Sequence, residues 1–253
     1  MNVYDGLIRK TAELLKGVEY KELKVNPDVK WNLLTANEFL MGREVAFELG
    51  DRLNPCTVYS CPTSTNELIG EDRIILIGKD LKDIKKNTNF SRITFFNIDD
   101  IKNENRAYIN VKKLDYDRYK MIPEGYMILS SSFENKENIR VSKKAIKEGL
   151  SFEILGNLYI NHYKKNEGVN NVVVVFIVGD YDFIPELCKI SKYVDNVTDN
   201  FDHVLKNIIL DCEVCPLKTI CNDIEELREL HFKQLEEQKA ALKEQKEKKK
   251  KKK

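Results

Sequence analysis

The 253-residue sequence predicts an α/β or α+β domain: a mixed sheet with flanking helices, an N-terminal amphipathic helix and a long charged C-terminal helix. Three observations lead there. Short apolar or alternating segments bounded by Gly, Pro, Asn and Ser recur across residues 42–178. Segments with helical period stand between and after them. The run 171–178 (NVVVVFIV) is apolar at nearly every position, which fits a central strand covered on both faces rather than one with a solvated side.

Taken in order, residues 4–17 put Leu7, Ile8, Ala12, Leu14 and Leu15 on one helical face with Lys and Glu opposite, so this helix needs a partner surface. Residues 18–41 mix Pro27, Asn and charge without a period and read as a connection with a short helix, Trp31 serving as a core anchor. REVAFEL and CTVYSC alternate around the turn chemistry of 50–55, which predicts a two-stranded hairpin. Residues 73–78 (RIILIG) read as a buried strand, 79–86 as a helical turn, and 91–97 (SRITFFN), 108–111 and 126–130 (YMILS) as strands. In 141–149 (VSKKAIKEG), Ser142 can cap a helix and Gly149 stands where a terminating glycine belongs. Residues 150–160 read as strand, Gly156-Asn157 turn, strand, and 182–209 as one or two helices. Residues 223–250 are rich in strong helix formers and i,i+4 charge pairs, but the apolar stripe ends near Leu235. The organisation is therefore an extension (1–41), a main domain (42–210), a cysteine motif (211–222) and a charged helix with a Lys-rich tail (223–253).

Composition narrows the class. With 42% hydrophobic and 33% charged residues, 11 Gly and 6 Pro, the chain is neither collagen-like, elastic nor wholly disordered. No apolar run approaches the ~18 residues of a membrane span, and the N-terminus lacks the apolar region and small-residue cleavage site of a signal peptide, so a cytoplasmic protein is expected. The formal net charge is +1, but residues 243–253 hold eight Lys and two Glu, a local +6, which leaves −5 on the other 242 residues. An acidic body with a basic tail is not the surface of a specific nucleic-acid binder; the tail itself reads as a solvated run. No GxGxxG or GxxxxGK[ST] occurs, and Ser130, Ser131 and Ser132 have no paired His or Asp motif. Asp180 and Asp182, just after the apolar run, read as helix-capping residues before catalytic ones.

The six cysteines are not expected to form disulfides in a reducing compartment. The sharpest signal is Cys212-x2-Cys215-Pro216-x4-Cys221, three thiolates close enough to hold one soft metal centre. A [4Fe-4S] cubane needs four ligands, and one can come from far away in the chain. Cys56 and Cys61 lie five apart on one strand and face opposite sides, so only one could point at a cluster; Cys61 is preferred and Cys56 is the alternative. Cys188 stands in an apolar setting as a small buried hydrophobe. The C-x2-C-P-x4-C form completed by a distant cysteine resembles the cluster staple of AddB-type iron-sulfur nucleases, although their acidic and Lys motifs are not apparent. A Zn2+ site of three Cys plus His231 or a fourth Cys is the competing reading. His162 and His203 read as ordinary surface or half-buried residues.

Read together, residues 42–221 resemble the middle region of the CO-methylating acetyl-CoA synthase, the β subunit of the CO dehydrogenase/acetyl-CoA synthase complex, through to the start of its cluster-binding region. GREVAFELGDRLNP, RIILIGKDLKDI, IRVSKKAIKEGLSFEILGNLYI, NVVVVFIVGD and the cysteines at 212, 215 and 221 carry the resemblance, in the family's order. It implies that Cys212, Cys215 and Cys221 ligate a [4Fe-4S] cubane, which in that family is bridged to a dinuclear nickel site joining CO, a methyl group and coenzyme A. The departures are specific. The family's Cys-Gly-Cys segment, which holds the distal nickel, has no counterpart; the second-to-third cysteine spacing is shorter; and YMILSSSFENKEN replaces the Trp/His/Gln/Arg-rich stretch linked to coenzyme A.

Assembling an acetyl group from two metal-bound fragments needs both metals, so independent acetyl-CoA synthesis is not expected. The expectation is an iron-sulfur protein of anaerobic one-carbon, corrinoid or acetyl-CoA-related metabolism, acting in electron transfer or as a docking partner of a corrinoid or CO dehydrogenase/acetyl-CoA-synthase-type protein. Two alternatives stand beside it: an acyl- or methyl-transfer enzyme with a nickel- or open-iron-containing cluster, and a zinc-stapled scaffold.

Overall fold

The computed structural model describes residues 2–31, 40–99, 104–117, 126–129 and 138–205, with Glu236 and Ala240. The helices are α1 (Asn2–Leu14), α2 (Glu104–Asp117), α3 (Lys143–Lys147), α4 (Phe152–Tyr163) and α5 (Ile184–Leu205). The strands are β1 (Lys21–Leu23), β2 (Val45–Leu49), β3 (Cys56–Thr63), β4 (Arg73–Gly78), β5 (Phe90–Ile98), β6 (Tyr126–Leu129), β7 (Asn138–Ser142) and β8 (Val169–Val178). The class is mixed α/β, as the sequence predicts.

Two sheets form. Five strands run in the order β1-β4-β8-β5-β3, and three in the order β2-β7-β6. In the larger sheet β4 is parallel to β8 and β3 to β5, while β5 and β8 pair antiparallel. β8 is therefore central, and its residues alternate between two cores. Val172, Val174, Phe176 and Val178 face α4, α3 and the smaller sheet; Val173, Val175 and Ile177 face α1 and α5. Both faces of β8 are covered from Val172 to Val178, which is why the sequence there is a continuous apolar run.

Local sequence explains the helix boundaries. Ser142 Oγ accepts from the Ala145 amide and Ser151 Oγ from the Ile154 amide, so α3 and α4 each begin on a serine cap. Gly149 takes the left-handed conformation that ends α3. α5 carries Pro185 in its first turn, where the missing amide costs no helical bond.

The structure corrects several expectations. β2 and β3 do not form a hairpin: β2 pairs with β7, whereas β3 joins β5 along eight residues. The turn chemistry between them is real, with Asp51 Oδ1 accepting from the Leu53 and Asn54 amides at 2.7 and 2.8 Å, but the turn carries the chain from one sheet to the other. Residues 108–111 belong to α2 rather than a strand; Val111 and Leu114 are buried while Ile109 and Tyr116 are exposed, a helical period. Residues 150–160 are not two strands but lie mostly in α4, whose buried positions 152, 155, 156, 159, 160 and 163 trace one helical face, with Asn157 buried beside it.

The segment read as a separate N-terminal extension shares the main core. β1 extends the sheet beside β4, and Arg73 makes two bonds of 2.8 and 2.9 Å to Glu22 across that edge. α1 lies on β3, where Thr11 Oγ1 meets Tyr59 Oη at 2.8 Å and Asp5 accepts from the hydroxyls of Thr63 and Thr65 at 2.6 and 2.7 Å. Lys10 reaches Glu186 of α5 at 2.8 Å. Trp31 is half-buried against the core on the α4 side. The charged C-terminal helix falls outside the described residues, Glu236 and Ala240 excepted, and the Lys-rich tail wholly so.

Candidate metal centre

Cys212, Cys215, Cys221 and His231 lie outside the described residues, as do Ser130, Ser131 and Ser132. Along the chain, the last described element before the motif is α5, described as far as Leu205. α5 is fixed to the sheet at several points. Ser191 Oγ donates to the Val58 carbonyl at 3.1 Å, and Leu187, Ile190, Val194 and Val197 bury against β3, β5 and β8.

The three described cysteines are not in disulfides. Cys56 and Cys61 stand on opposite faces of β3, as a regular strand requires. Cys56 packs between the two sheets beside Gly50, where a Cβ on that glycine would lie 2.2 Å from Cys56 Cβ. Gly50 is left-handed with φ +74°, so close approach and backbone conformation both call for glycine. Cys61 faces the other way, between α1 and α5, and has no exposed surface. Burial pushes its thiol well above the ordinary cysteine range, because nothing in an apolar interior solvates a thiolate. Neighbouring Tyr59 is also pushed up, first by burial and then by the adjacent Cys61. Cys188, half-buried on α5, meets Thr57 Oγ1 at 2.9 Å.

A cubane needs thiolates converging on one point with room for the cluster between them. The described residues do not supply this: no group of three His, Cys, Asp or Glu residues among them is placed to hold a metal ion. Cys61, the cysteine preferred from the sequence as fourth ligand, lies in a close-packed helix-sheet interface.

The remaining candidates have structural surroundings. His162 lies on α4 with Nε2 4.0 Å from the largely buried Asp117 carboxylate, and His203 lies within α5. Asp180 accepts from Asn89 Nδ2 at 3.1 Å, tying the end of β8 to the segment before β5. Sequence reasoning passed over Arg92, which is buried on β5, donates to the Tyr159 hydroxyl and lies 4.6 Å from the centre of the Tyr159 ring. Its signal was strand alternation, since Arg92 shares a face with Phe90 and Phe96 and must point into the same core.

No protein-family model matches the chain. No curated protein matches it. Among the described residues no helix is long and apolar enough to cross a membrane.

Proposed function

We propose that this chain is a cytoplasmic iron-sulfur protein of anaerobic one-carbon, corrinoid or acetyl-CoA-related metabolism. In this reading Cys212, Cys215 and Cys221 hold a [4Fe-4S] cluster, and the α/β domain is the platform that presents it to a corrinoid or CO dehydrogenase/acetyl-CoA-synthase-type partner for electron transfer or docking. The observation that carries it is the spacing Cys212-x2-Cys215-Pro216-x4-Cys221. The ordered resemblance of residues 42–221 to the synthase middle region supports the metabolic setting.

The test is metal and sulfide analysis with EPR on protein purified without oxygen, beside a variant carrying C212S, C215S and C221S. About four iron and four sulfide per chain in the wild type, lost in the variant, are expected. About one zinc and no sulfide would replace this reading with the zinc-stapled scaffold, in which three cysteines and His231 hold a structural ion.

A further inference from the structure

We infer that one edge of the five-stranded sheet, where β4 and β8 end and β5 and β3 begin, binds the same edge of a second copy of this chain. The pair is two-fold symmetric and joins the basic end of each edge to the acidic end of the other. The inference goes beyond the iron-sulfur reading and does not rest on it.

The strand order β1-β4-β8-β5-β3 lays this edge out as a row of four strand spacings, about 19 Å wide. At the β3 end stands the turn 50–55. Its Leu53 is 88% exposed, the highest value among the described large hydrophobic residues. An exposed leucine by itself signifies little. This one stands on a turn fixed from inside: Asp51 accepts from the Leu53 and Asn54 amides, from Asn54 Nδ2 at 2.8 Å and from Asn87 Nδ2 at 2.7 Å. The Gly50 amide donates to the Thr88 carbonyl at 2.9 Å. A side chain presented on such a turn gives up little freedom on binding. The Asn87 bond also joins the turn to the segment before β5, which carries Lys85 and Lys86, both exposed like Arg52. Arg52, Lys85 and Lys86 against Asp51 leave a charge of +2 at this end.

The other end has the opposite character. Tyr181 and Phe183, just after β8, stack with ring centres 5.1 Å apart and planes 13° from parallel. Tyr181 lies over the glycines that end β4 and β8: a Cβ on Gly78 would stand 3.1 Å from its hydroxyl, and one on Gly179 3.4 Å from its ring. Both rings are half-buried, and Tyr20, just before β1, is 52% exposed. Burial, and then the Glu19 carboxylate, push the Tyr181 hydroxyl above its ordinary range, which places Glu19 at this end as well. Glu19, Asp180 and Asp182 are exposed around these rings. Against Lys79 they leave a charge of −2.

An edge with a basic, apolar projection at one end and an acidic aromatic surface at the other is complementary to itself. A two-fold axis through its middle sets each Leu53 turn on the partner's rings and pairs unlike charges at both contacts. A foreign partner of one charge would satisfy a single end.

The experiment is sedimentation equilibrium on the full chain purified without oxygen. Between about 1 and 100 μM the mass is expected to rise from 29.5 kDa toward twice that value, with weaker association at higher salt. R52E/K85E/K86E, E19K/D182K and L53S should each weaken the dimer by about tenfold or more, with circular dichroism unchanged because every site is exposed. Mixing the first two variants should restore a dimer, since both contacts then join unlike charges. Wild type that stays at the monomer mass at about 100 μM overturns the inference and leaves this edge to a different protein. A dimer that survives R52E/K85E/K86E, as one held by the Lys-rich tail would, also overturns it. So does a mixture of the two charge variants that stays monomeric.

Discussion

Gly156 brings α4 against Ile74 of the large sheet, and replacing it with alanine separates two effects of opposite sign. In an exposed helix G156A would stabilise by about 1 kcal/mol, because glycine is the poorest ordinary helix former. Here the new Cβ would lie 2.5 Å from Ile74 Cγ2, 2.8 Å from Cγ1 and 2.9 Å from Cδ1. Cδ1 can swing away, but Cγ1 and Cγ2 are fixed to a β-branched Cβ whose side chain has little rotamer freedom. Ile74 lies on β4, bonded to β1 on one side and β8 on the other, so the strand cannot retreat alone. Overpacking of this kind costs about 1–3 kcal/mol, and with two immovable carbons the upper end applies. The net expectation is destabilisation by about 2 kcal/mol, read as a lower urea midpoint at unchanged slope. I74A alone should cost about 2–5 kcal/mol through its cavity. In the double variant the Gly156→Ala methyl enters the space vacated by Ile74, so the two changes should couple favourably by at least about 1 kcal/mol. A G156A protein as stable as wild type, or a cycle additive within about 0.5 kcal/mol, would refute the packing argument.

Two other predictions follow from buried polar groups. Asn157 accepts from the Asn26 amide at 2.6 Å and donates to the Lys24 and Glu153 carbonyls at 2.9 Å each, so N157A should cost about 2–3 kcal/mol and speed hydrogen exchange at the Asn26 amide; unchanged exchange there would contradict it. Cys61 is held protonated by burial, whereas in the unfolded chain it ionises near pH 8.5. Above that pH the folded state binds the extra proton, so stability should fall as pH rises, by up to about 1.4 kcal/mol per pH unit. Tyr59, raised in the same way, should add to the slope above about pH 10. Urea midpoints measured from pH 7 to 10 for wild type and C61A should therefore converge on the alkaline side; parallel curves would mean that the thiol is solvated in the fold.

What the sequence made legible depended on whether one residue served one purpose. The run at β8 reads correctly because both its faces are covered by apolar cores, and Ser142 and Gly149 read correctly because capping is a local task, set by neighbours in the chain. Gly156-Asn157 misleads because the same dipeptide that turns a chain is used here for two tertiary needs. The glycine admits Ile74, and the asparagine ties α4 to the segment after β1. Neither need is visible before the partner is known, although the buried spacing 152, 155, 156, 159, 160 and 163 was present throughout and outweighs a two-residue turn signal. The false hairpin has a related origin. A turn between two alternating segments says that the chain reverses, but the pairing partner is set by the longer ladder, and β3 finds eight residues of it on β5. β1 escaped notice because three residues, KEL, carry no period of their own and are held by pairing to β4.

The cysteines follow the same logic at the level of the candidate site. Alternation along β3 separates Cys56 from Cys61, but it cannot say which face is open. The structure closes both, because α1, read from the sequence as an extension, covers one face of β3, and the smaller sheet packs with α4 over the other. The N-terminal helix, together with α5, therefore encloses Cys61. Asp5→Ala, which removes the bonds to Thr63 and Thr65, should loosen α1 and speed alkylation of Cys61; an unchanged alkylation rate would mean that the remaining contacts of α1 and α5 suffice to close this face.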